Sequence, residues 1–493
     1  MSAVNPQART LDDTLDAPRS GAQPALFVDL DGTLVRTDML FETLMAALKR
    51  KPWIVLMLPA WFLRGRAYLK KRLAEEGAVR ADLLPYDQDV IARINAEREK
   101  GRQVVLATAS DGTVANQIAT HLGLFDGVIA SDGENNLKSA AKLAAIKAWP
   151  GVESFEYIGN ARADVAIWAE SSHAIAVRTP RAVVREAAAG GRTVEELGEP
   201  KKTLRSAVRA LRPHQWAKIV LIFLPLLASH IYFDMSLWLS DIVAFVAFSL
   251  CASSVYVLND LLDLESDRRH PRKRRRPFAA GDLSIQAGLA MAVGLIVAAF
   301  GLASLDGTPF LVVLGIYFLL TLSYSFSLKA IVLVDTIVLA GLYTMRVIAG
   351  YAATDIVPTF WLLAFALFLF FGLAMLKRFS ELIEVRKRSD DGPPGRGYRA
   401  DDLDVVGVFG AVTGGLAVLI LALYINTADV AKLYGHPQVL WGIVPVLLYW
   451  ISKIWLIAHR GEMHEDPVVY ALTDRESLGV FAVCIAIAAA ATL

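Results

Sequence analysis

At 493 residues, 55% of them hydrophobic and 20% charged, the chain is long enough for more than one domain. Charges crowd roughly the first 200 positions and long apolar runs fill the rest, so the net charge of +1 averages two unlike parts and no nucleic-acid partner is expected. Two cysteines, Cys251 and Cys484, both lie inside apolar runs, which excludes a disulfide framework and points to small core residues.

Residues 1–22, with Ala, Asp, Pro and Ser, are expected to form a disordered tail. An α/β domain is expected over 23–187. Ala25-Leu26-Phe27-Val28 has the pattern of a short buried strand and runs into Asp29-Leu30-Asp31-Gly32-Thr33. A strand end presents one carboxylate as a nucleophile, and the acid two residues later faces the same side, where it can handle protons. Gly32 permits the tight turn that follows. Val104-Val105-Leu106-Ala107-Thr108 is a second buried strand, ending in a hydroxyl. Lys142 opens an apolar helix and could neutralise a phosphate, with Lys138 as the competing choice. Phe155-Glu156-Tyr157-Ile158-Gly159-Asn160 then leads to Asp164.

Residues 39–94, between the first two motifs, read as a helical cap. Within it, Trp53–Leu63 is apolar and aromatic, too short to span a bilayer, and flanked by Lys49, Arg50, Lys51 and by Arg64, Arg66, Lys70, Lys71, Arg72. That pattern suits either an interfacial membrane contact or packing against the protein itself.

The order and spacing of these motifs resemble the haloacid dehalogenase (HAD) superfamily, whose members are mostly phosphatases. The resemblance covers about 24–185 and implies a Rossmann-like α/β fold with a helical cap. It implies Asp29 and Asp31 as catalytic acids, Thr108 and Lys142 as phosphate-binding residues, and a Mg²⁺ site drawn from Asp29, Asp31, Asn160 and Asp164. Asn160 stands where an aspartate is usual in that family. Its amide offers a carbonyl oxygen but no charge, so the metal site is expected to be weaker.

A linker is expected over 188–204, followed by an all-α membrane domain over 205–493 with about nine helices. The predicted spans lie near 215–233, 238–258, 285–305, 308–327, 331–351, 358–376, 403–425, 437–457 and 478–493. Seven Lys/Arg fall within 268–276 and seven between Lys377 and Arg399, whereas the alternate loops at 234–237, 306–307, 352–357 and 426–436 contain only Lys432. By the positive-inside rule the basic loops and the N-terminal domain are cytoplasmic, in a multi-pass protein of the inner (cytoplasmic) membrane, with Leu493 on the far side. The segment before Asp29 has no apolar stretch of signal-peptide type.

Asn259, Asp260, Asp263 and Asp267 close one of these apolar runs. Spaced three and four apart, the aspartates would share one face of a helix, where their repulsion calls for a cation. Oxygen-only ligands suggest Mg²⁺, which bridges a few carboxylates to substrate phosphates. A solvated charged loop at the membrane boundary would explain the following arginines but not the spaced acids.

The run Asn259-Asp260-x-x-Asp263-x-x-x-Asp267 resembles the first metal motif of the UbiA superfamily of intramembrane prenyltransferases. Asp267-Arg268-x-His270-Pro271-x-Lys273-x-x-Arg276-Pro277 and Arg212-Pro213-His214-Gln215-Trp216-x-Lys218 resemble its decaprenyl-phosphate phosphoribosyltransferase branch. The resemblance implies Asp260 and Asp263 as catalytic, Asn259, Asp260, Asp263 and Asp267 around the metal, and Lys218, Lys273 and Arg276 on substrate phosphates. Tyr324, Lys329 and Asp335, with Arg346 further along, resemble the second motif region, where the superfamily commonly has two acids and this chain has Asp335 alone. The alternative for Lys329 is that it snorkels to the boundary. Lys377, Arg378, Arg396 and Tyr398 in the next basic loop complete the expected substrate-binding set.

These resemblances imply a membrane-embedded, Mg²⁺-dependent transfer of 5-phosphoribose from phosphoribosyl pyrophosphate (PRPP) to a polyprenyl phosphate. The HAD-like domain would dephosphorylate the lipid product. The alternative is a prenyl-diphosphate transferase acting on an aromatic or other small acceptor, with a regulatory or inactive HAD domain. Oligomeric state is not specified by any of these motifs.

Overall fold

The computed structural model describes residues 24–189, 191–199, 203–387, 392–393, 395–463 and 466–493. The tail expected over 1–22 lies outside the described residues. The chain divides into two compact units, one of residues 1–210 with 257–291 and the other of 211–256 with 292–493.

The first unit is built on a six-stranded parallel sheet in the order β3-β2-β1-β4-β5-β6. The strands are β1 (Ala25–Val28), β2 (Val104–Asp111), β3 (Gly127–Ser131), β4 (Phe155–Gly159), β5 (His173–Val177) and β6 (Val194–Leu197). Parallel strands covered on both faces need apolar side chains on both. Leu26, Val28, Val104, Leu106, Ile158 and Ile175 fill one layer, while Phe27, Val105, Ala107, Tyr157, Ala174 and Ala176 fill the other. The strand β6 falls inside the stretch read as a linker. Its Val194-Glu195-Glu196-Leu197 is half-buried at the sheet edge, so composition alone gave no strand signal there.

A cap follows β1: α1 (Met39–Arg50), a 3₁₀ turn at Pro52–Leu56, α2 (Leu58–Leu63) and α3 (Arg66–Glu76). Asp38 caps α1 by accepting the Leu40 N–H at 3.0 Å. Ala47, Ile54, Trp61 and Leu73 form the cap's own small core.

In the membrane part, among the described residues, eight helices are long and apolar enough to cross a bilayer, from Met235–Leu262 to Arg475–Thr492. Each overlaps a predicted span. The expected first span at 215–233 is not among them and is corrected here: it is a 3₁₀ helix, Pro213–Phe223, followed by a short helix, Leu224–Ala228. Pro225 at the start of that helix removes an N–H, and its ring opposes a continuous α-helix through the preceding turn. Gly350 lets the segment lie close to helix Val334–Thr354, since a Cβ there would come within 2.0 Å of the Ile222 carbonyl. Because 3₁₀ geometry rises about 2 Å per residue, the sixteen residues Pro213–Ala228 still extend roughly 30 Å.

Candidate active sites

Asp29 leaves the end of β1 and is buried beside Lys142, from α4 (Ala140–Lys147). The Lys142 Nζ donates to Asp29 Oδ1 at 2.7 Å and to the Tyr157 hydroxyl at 2.9 Å, and lies 3.8 Å from Asp164 Oδ1. Lys142, not Lys138, is therefore the cation at this carboxylate. Burial pushes the Asp29 carboxyl up to about 7, against the pull of Lys142. Asp29 and Asp164 in turn raise the Lys142 ammonium above its ordinary value despite its burial.

Asp31 is held from three directions. Its Oδ1 accepts the Met39 N–H at 2.7 Å, and its Oδ2 accepts the Ser110 hydroxyl at 2.6 Å and the Thr108 hydroxyl at 3.3 Å. Thr108 thus faces Asp31 from within β2, which runs on to Asp111 instead of ending at that hydroxyl. Ser110, absent from the expected set, is the closer partner. Its signal was its place two residues on along the same strand, which puts it on the same face. Lys70 was also misplaced by the sequence, which put it in the cationic rim of the cap. Its ammonium instead donates to the Ala109 carbonyl and, at 2.9 Å, to Asn136 Oδ1. Burial lowers its pKa, while Asp31 and Asp38 hold it up.

Asp164 is spent largely on the protein. Its Oδ2 accepts the N–H groups of Asn160 (3.1 Å) and Ala161 (3.0 Å), and its Oδ1 accepts the Tyr157 hydroxyl at 3.0 Å. Asn160 turns its amide over the Asp29–Asp31 loop: a Cβ on Gly32, whose φ is +76°, would meet Asn160 Nδ2 at 2.1 Å. Two carboxylates and an amide oxygen around this turn make an oxygen-only donor set of the kind Mg²⁺ takes, so the residues fit that ion.

The aspartate motif belongs to the same compact unit. One nitrogen of Arg276 lies 3.1 Å from Asp260 Oδ1 and 2.7 Å from Asp267 Oδ2, with both carboxylates buried. A single cationic position therefore serves both acids, and all its donors are oxygens, which fits Mg²⁺. Asp263 departs from the expected common face. The helix ends at Leu262, a new one runs Leu264–Arg269, and the Asp263 carboxylate accepts the Lys49 ammonium of α1 at 2.9 Å. Among the described residues, no three of His, Cys, Asp and Glu converge as metal ligands. Asn259 is half-buried one residue before Asp260, and Lys273 is exposed in a 3₁₀ turn.

The second unit holds two charged clusters. Lys218 Nζ lies 3.1 Å from Asp466 Oδ1 and Lys377 Nζ 2.7 Å from Asp466 Oδ2. The Tyr343 hydroxyl donates to the same carboxylate at 3.4 Å. Arg346 is stacked between the rings of Tyr317 and Tyr343, at 5.5 and 4.9 Å from their centroids. Burial would raise Asp466, but Lys377 and Lys218 outweigh it and hold the carboxyl well below the usual range. Three cations against one carboxylate leave this cluster with an excess of positive charge, suited to an anionic substrate. Asp466 was missed as a site residue, although Pro467 directly after it marks a helix start.

The other cluster is balanced. Asp335 is fully buried and accepts the Tyr398 hydroxyl at 2.8 Å, with Arg378 Nε at 2.7 Å and Arg396 Nη1 at 3.1 Å. Glu381 pairs with both arginines, and Arg396 also donates to the Tyr324 hydroxyl at 3.4 Å. Two cations meet two anions, so the structure uses Arg378 and Asp335 to hold each other. Lys329 is half-buried in a 3₁₀ turn, Leu328–Ala330, with no ion pair among the described residues.

Residues 219–470 match the UbiA prenyltransferase family and residues 26–168 match the haloacid dehalogenase-like hydrolases. The chain belongs to the UbiA prenyltransferase family. It is similar over most of its length to the uncharacterized protein y4nM of Sinorhizobium fredii, with 36% identity over 92% of this chain and 88% of that one. The nodulation protein NoeC of Azorhizobium caulinodans is 38% identical over 55% of this chain and 87% of its own length. The decaprenyl-phosphate phosphoribosyltransferase of Corynebacterium glutamicum is 37% identical over 37% of this chain and 57% of its own. The chain is thus a multi-pass membrane enzyme of the UbiA family whose N-terminal domain has the HAD hydrolase fold.

Proposed function

We propose that the UbiA part transfers 5-phosphoribose from PRPP to a polyprenyl phosphate, and that the HAD domain then removes the 5-phosphate from the lipid product. The observation that carries the first half is the convergence of Asp260 and Asp267 on one cationic position, now taken by Arg276. A Mg²⁺ ion bound there would offset the charge of the departing pyrophosphate. Asp260 and Asp267 would hold the ion, with Asn259 and Asp263 beside them. Release of Arg276 from these acids would free it, together with Lys273, for donor phosphates. Within the second unit, Lys218, Lys377 and Arg346 carry the positive excess that suits an anionic substrate, and Asp466 fixes the two lysines in place. The relatives named decaprenyl-phosphate phosphoribosyltransferase support transfer of a phosphoribosyl group to a polyprenyl phosphate.

In the HAD domain, Asp29 is the nucleophile toward a phosphate ester. The P–O bond to the ribose oxygen breaks as the Asp29–phosphorus bond forms, and Asp31 protonates the leaving oxygen. Lys142 and the Thr108 and Ser110 hydroxyls hold the phosphate oxygens. Water then cleaves the aspartyl phosphate, with Asp31 taking its proton. The domain and the motif loops are assigned to the cytoplasmic side of the inner membrane, from the basic loops.

Membranes containing the protein, given radiolabelled PRPP and polyprenyl phosphate, should form a labelled lipid. Thermal protection by geranyl or farnesyl diphosphate and not by PRPP would replace this reading with prenyl transfer.

A further inference from the structure

The cap exposes an apolar surface that its own core does not need. Ile54 and Trp61 turn inward onto Ala47 and Leu73, which leaves Trp53 (53% exposed), Leu56 (81%), Phe62 (55%) and Leu63 (86%) pointing outward. Val55 and Met57 extend the same patch. So many large apolar side chains side by side mark an interaction surface. The rim is basic. Lys51 and Arg72 are partnered by Glu76 and Glu75, whereas Arg50, Arg64, Arg66 and Lys71 have no ion pair among the described residues.

The position of the patch along the chain identifies what covers it. Helix Met235–Leu262 crosses the membrane and ends one residue before Asp263, whose carboxylate accepts Lys49 at 2.9 Å. Trp53 follows Lys49 by four residues, a reach of at most about 14 Å. The apolar patch is therefore tethered beside the end of a membrane-crossing helix. An apolar centre with a rim of unpaired cations matches the acyl–headgroup boundary of a bilayer containing anionic lipids. We infer that residues 53–63 of the cap dock into the cytoplasmic leaflet, with Leu56, Phe62 and Leu63 among the acyl chains and Arg50, Arg64, Arg66 and Lys71 on anionic headgroups. The dock holds the hydrolase site at the surface where a lipid-borne phosphate ester is presented, and it stands whichever donor the transferase uses.

The test uses the full chain with Cys484 replaced by alanine, in nanodiscs of phosphatidylcholine with phosphatidylglycerol. Cys251 is buried and stays unlabelled. Single cysteines at Leu56→Cys, Leu63→Cys and, as an exposed control, Glu153→Cys carry an environment-sensitive fluorophore. At 56 and 63, lipids carrying a shallow spin-label quencher should quench several-fold more than at 153, and aqueous iodide several-fold less. Changing Arg50, Arg64, Arg66 and Lys71 to glutamine should reduce the lipid quenching. Iodide quenching equal to that at 153 would overturn the inference. Shielding of 56 and 63 from both quenchers would also overturn it, since a protein surface or a second copy would then cover the patch.

Discussion

Arg268 and Glu42, 226 positions apart in the chain, meet in a fork of two hydrogen bonds at 3.0 and 2.5 Å with both side chains buried. Arg268 is one residue past the aspartate motif and Glu42 lies on α1 of the HAD domain. Around this fork, Arg36 pairs with Asp282 at 3.0 Å and Gln286 donates to Asp38 at 2.9 Å. Asp38 is itself the cap of α1, beside Asp31, and burial together with Asp31 pushes its carboxyl up to about 6. Breaking one side of a buried ion pair costs about 3–5 kcal/mol, because it strands the other charge. Arg268→Met and Glu42→Gln should each lower the melting temperature of the purified protein, and the double variant should lose less than their sum. Additive losses would show that the pair is not coupled.

Asp260→Asn or Asp267→Asn should cut lipid labelling by two orders of magnitude or more while the protein still folds and inserts, because each removes a charge from the shared cationic position. Asp263→Asn should impair transfer as strongly if it joins the metal when Lys49 lets go. Labelling with each variant across a Mg²⁺ titration tests this, and full activity in excess EDTA would remove the metal from the account.

The hydrolase should respond to pH through Asp29. Its carboxyl must be ionised to attack, so kcat/KM on a soluble phosphate ester should rise with pH and level off above about 7. Lys142→Met removes the opposing cation and should move that rise to higher pH. The same group weakens the fold as pH rises. Between the ordinary 3.8 and about 7 the folded state holds a proton that the unfolded chain has lost, so stability falls across that window. Asp29→Asn should flatten this slope in thermal unfolding between pH 4 and 8.

Asp29→Asn also separates the two half-reactions. The variant should form the phosphoribosyl lipid at the wild-type rate and accumulate it with its 5-phosphate, while the wild type converts part of it. Chromatography of the labelled lipids decides, and identical fully phosphorylated products would mean that the domain does not act on this intermediate.

Lys377 and Arg378 are neighbours with different duties. Lys377→Met should raise the KM for the donor with little loss of stability, whereas Arg378→Met should leave Asp335 buried without its fully buried partner and cost about 3–5 kcal/mol. Melting temperature and donor titration of the two variants distinguish them.

Much of this was legible in the sequence because its signals are local. Apolar runs located the eight long helices among the described residues, and the strand pattern located Ala25–Val28, directly before Asp29. What escaped depended on distant partners or on direction. Nothing local says that Lys49 takes Asp263, that Lys70 leaves the cap rim for the Ala109 carbonyl and Asn136, or that Arg378 is consumed by Asp335. The segment at 215–233 had the hydropathy of a span, but Pro225 decides its geometry and hydropathy does not register it.

The compact unit that carries the hydrolase fold is discontinuous: 257–291 belongs to it together with the residues up to 210. A gene cut near codon 200, where composition changes, would part Glu42 and Lys49 from Arg268 and Asp263 and break both ion pairs. Co-expression of the two fragments should therefore restore what neither has alone. During synthesis the N-terminal domain emerges first and domains tend to fold as units, which would let α1, with Glu42 and Lys49, serve as the template on which the aspartate segment settles.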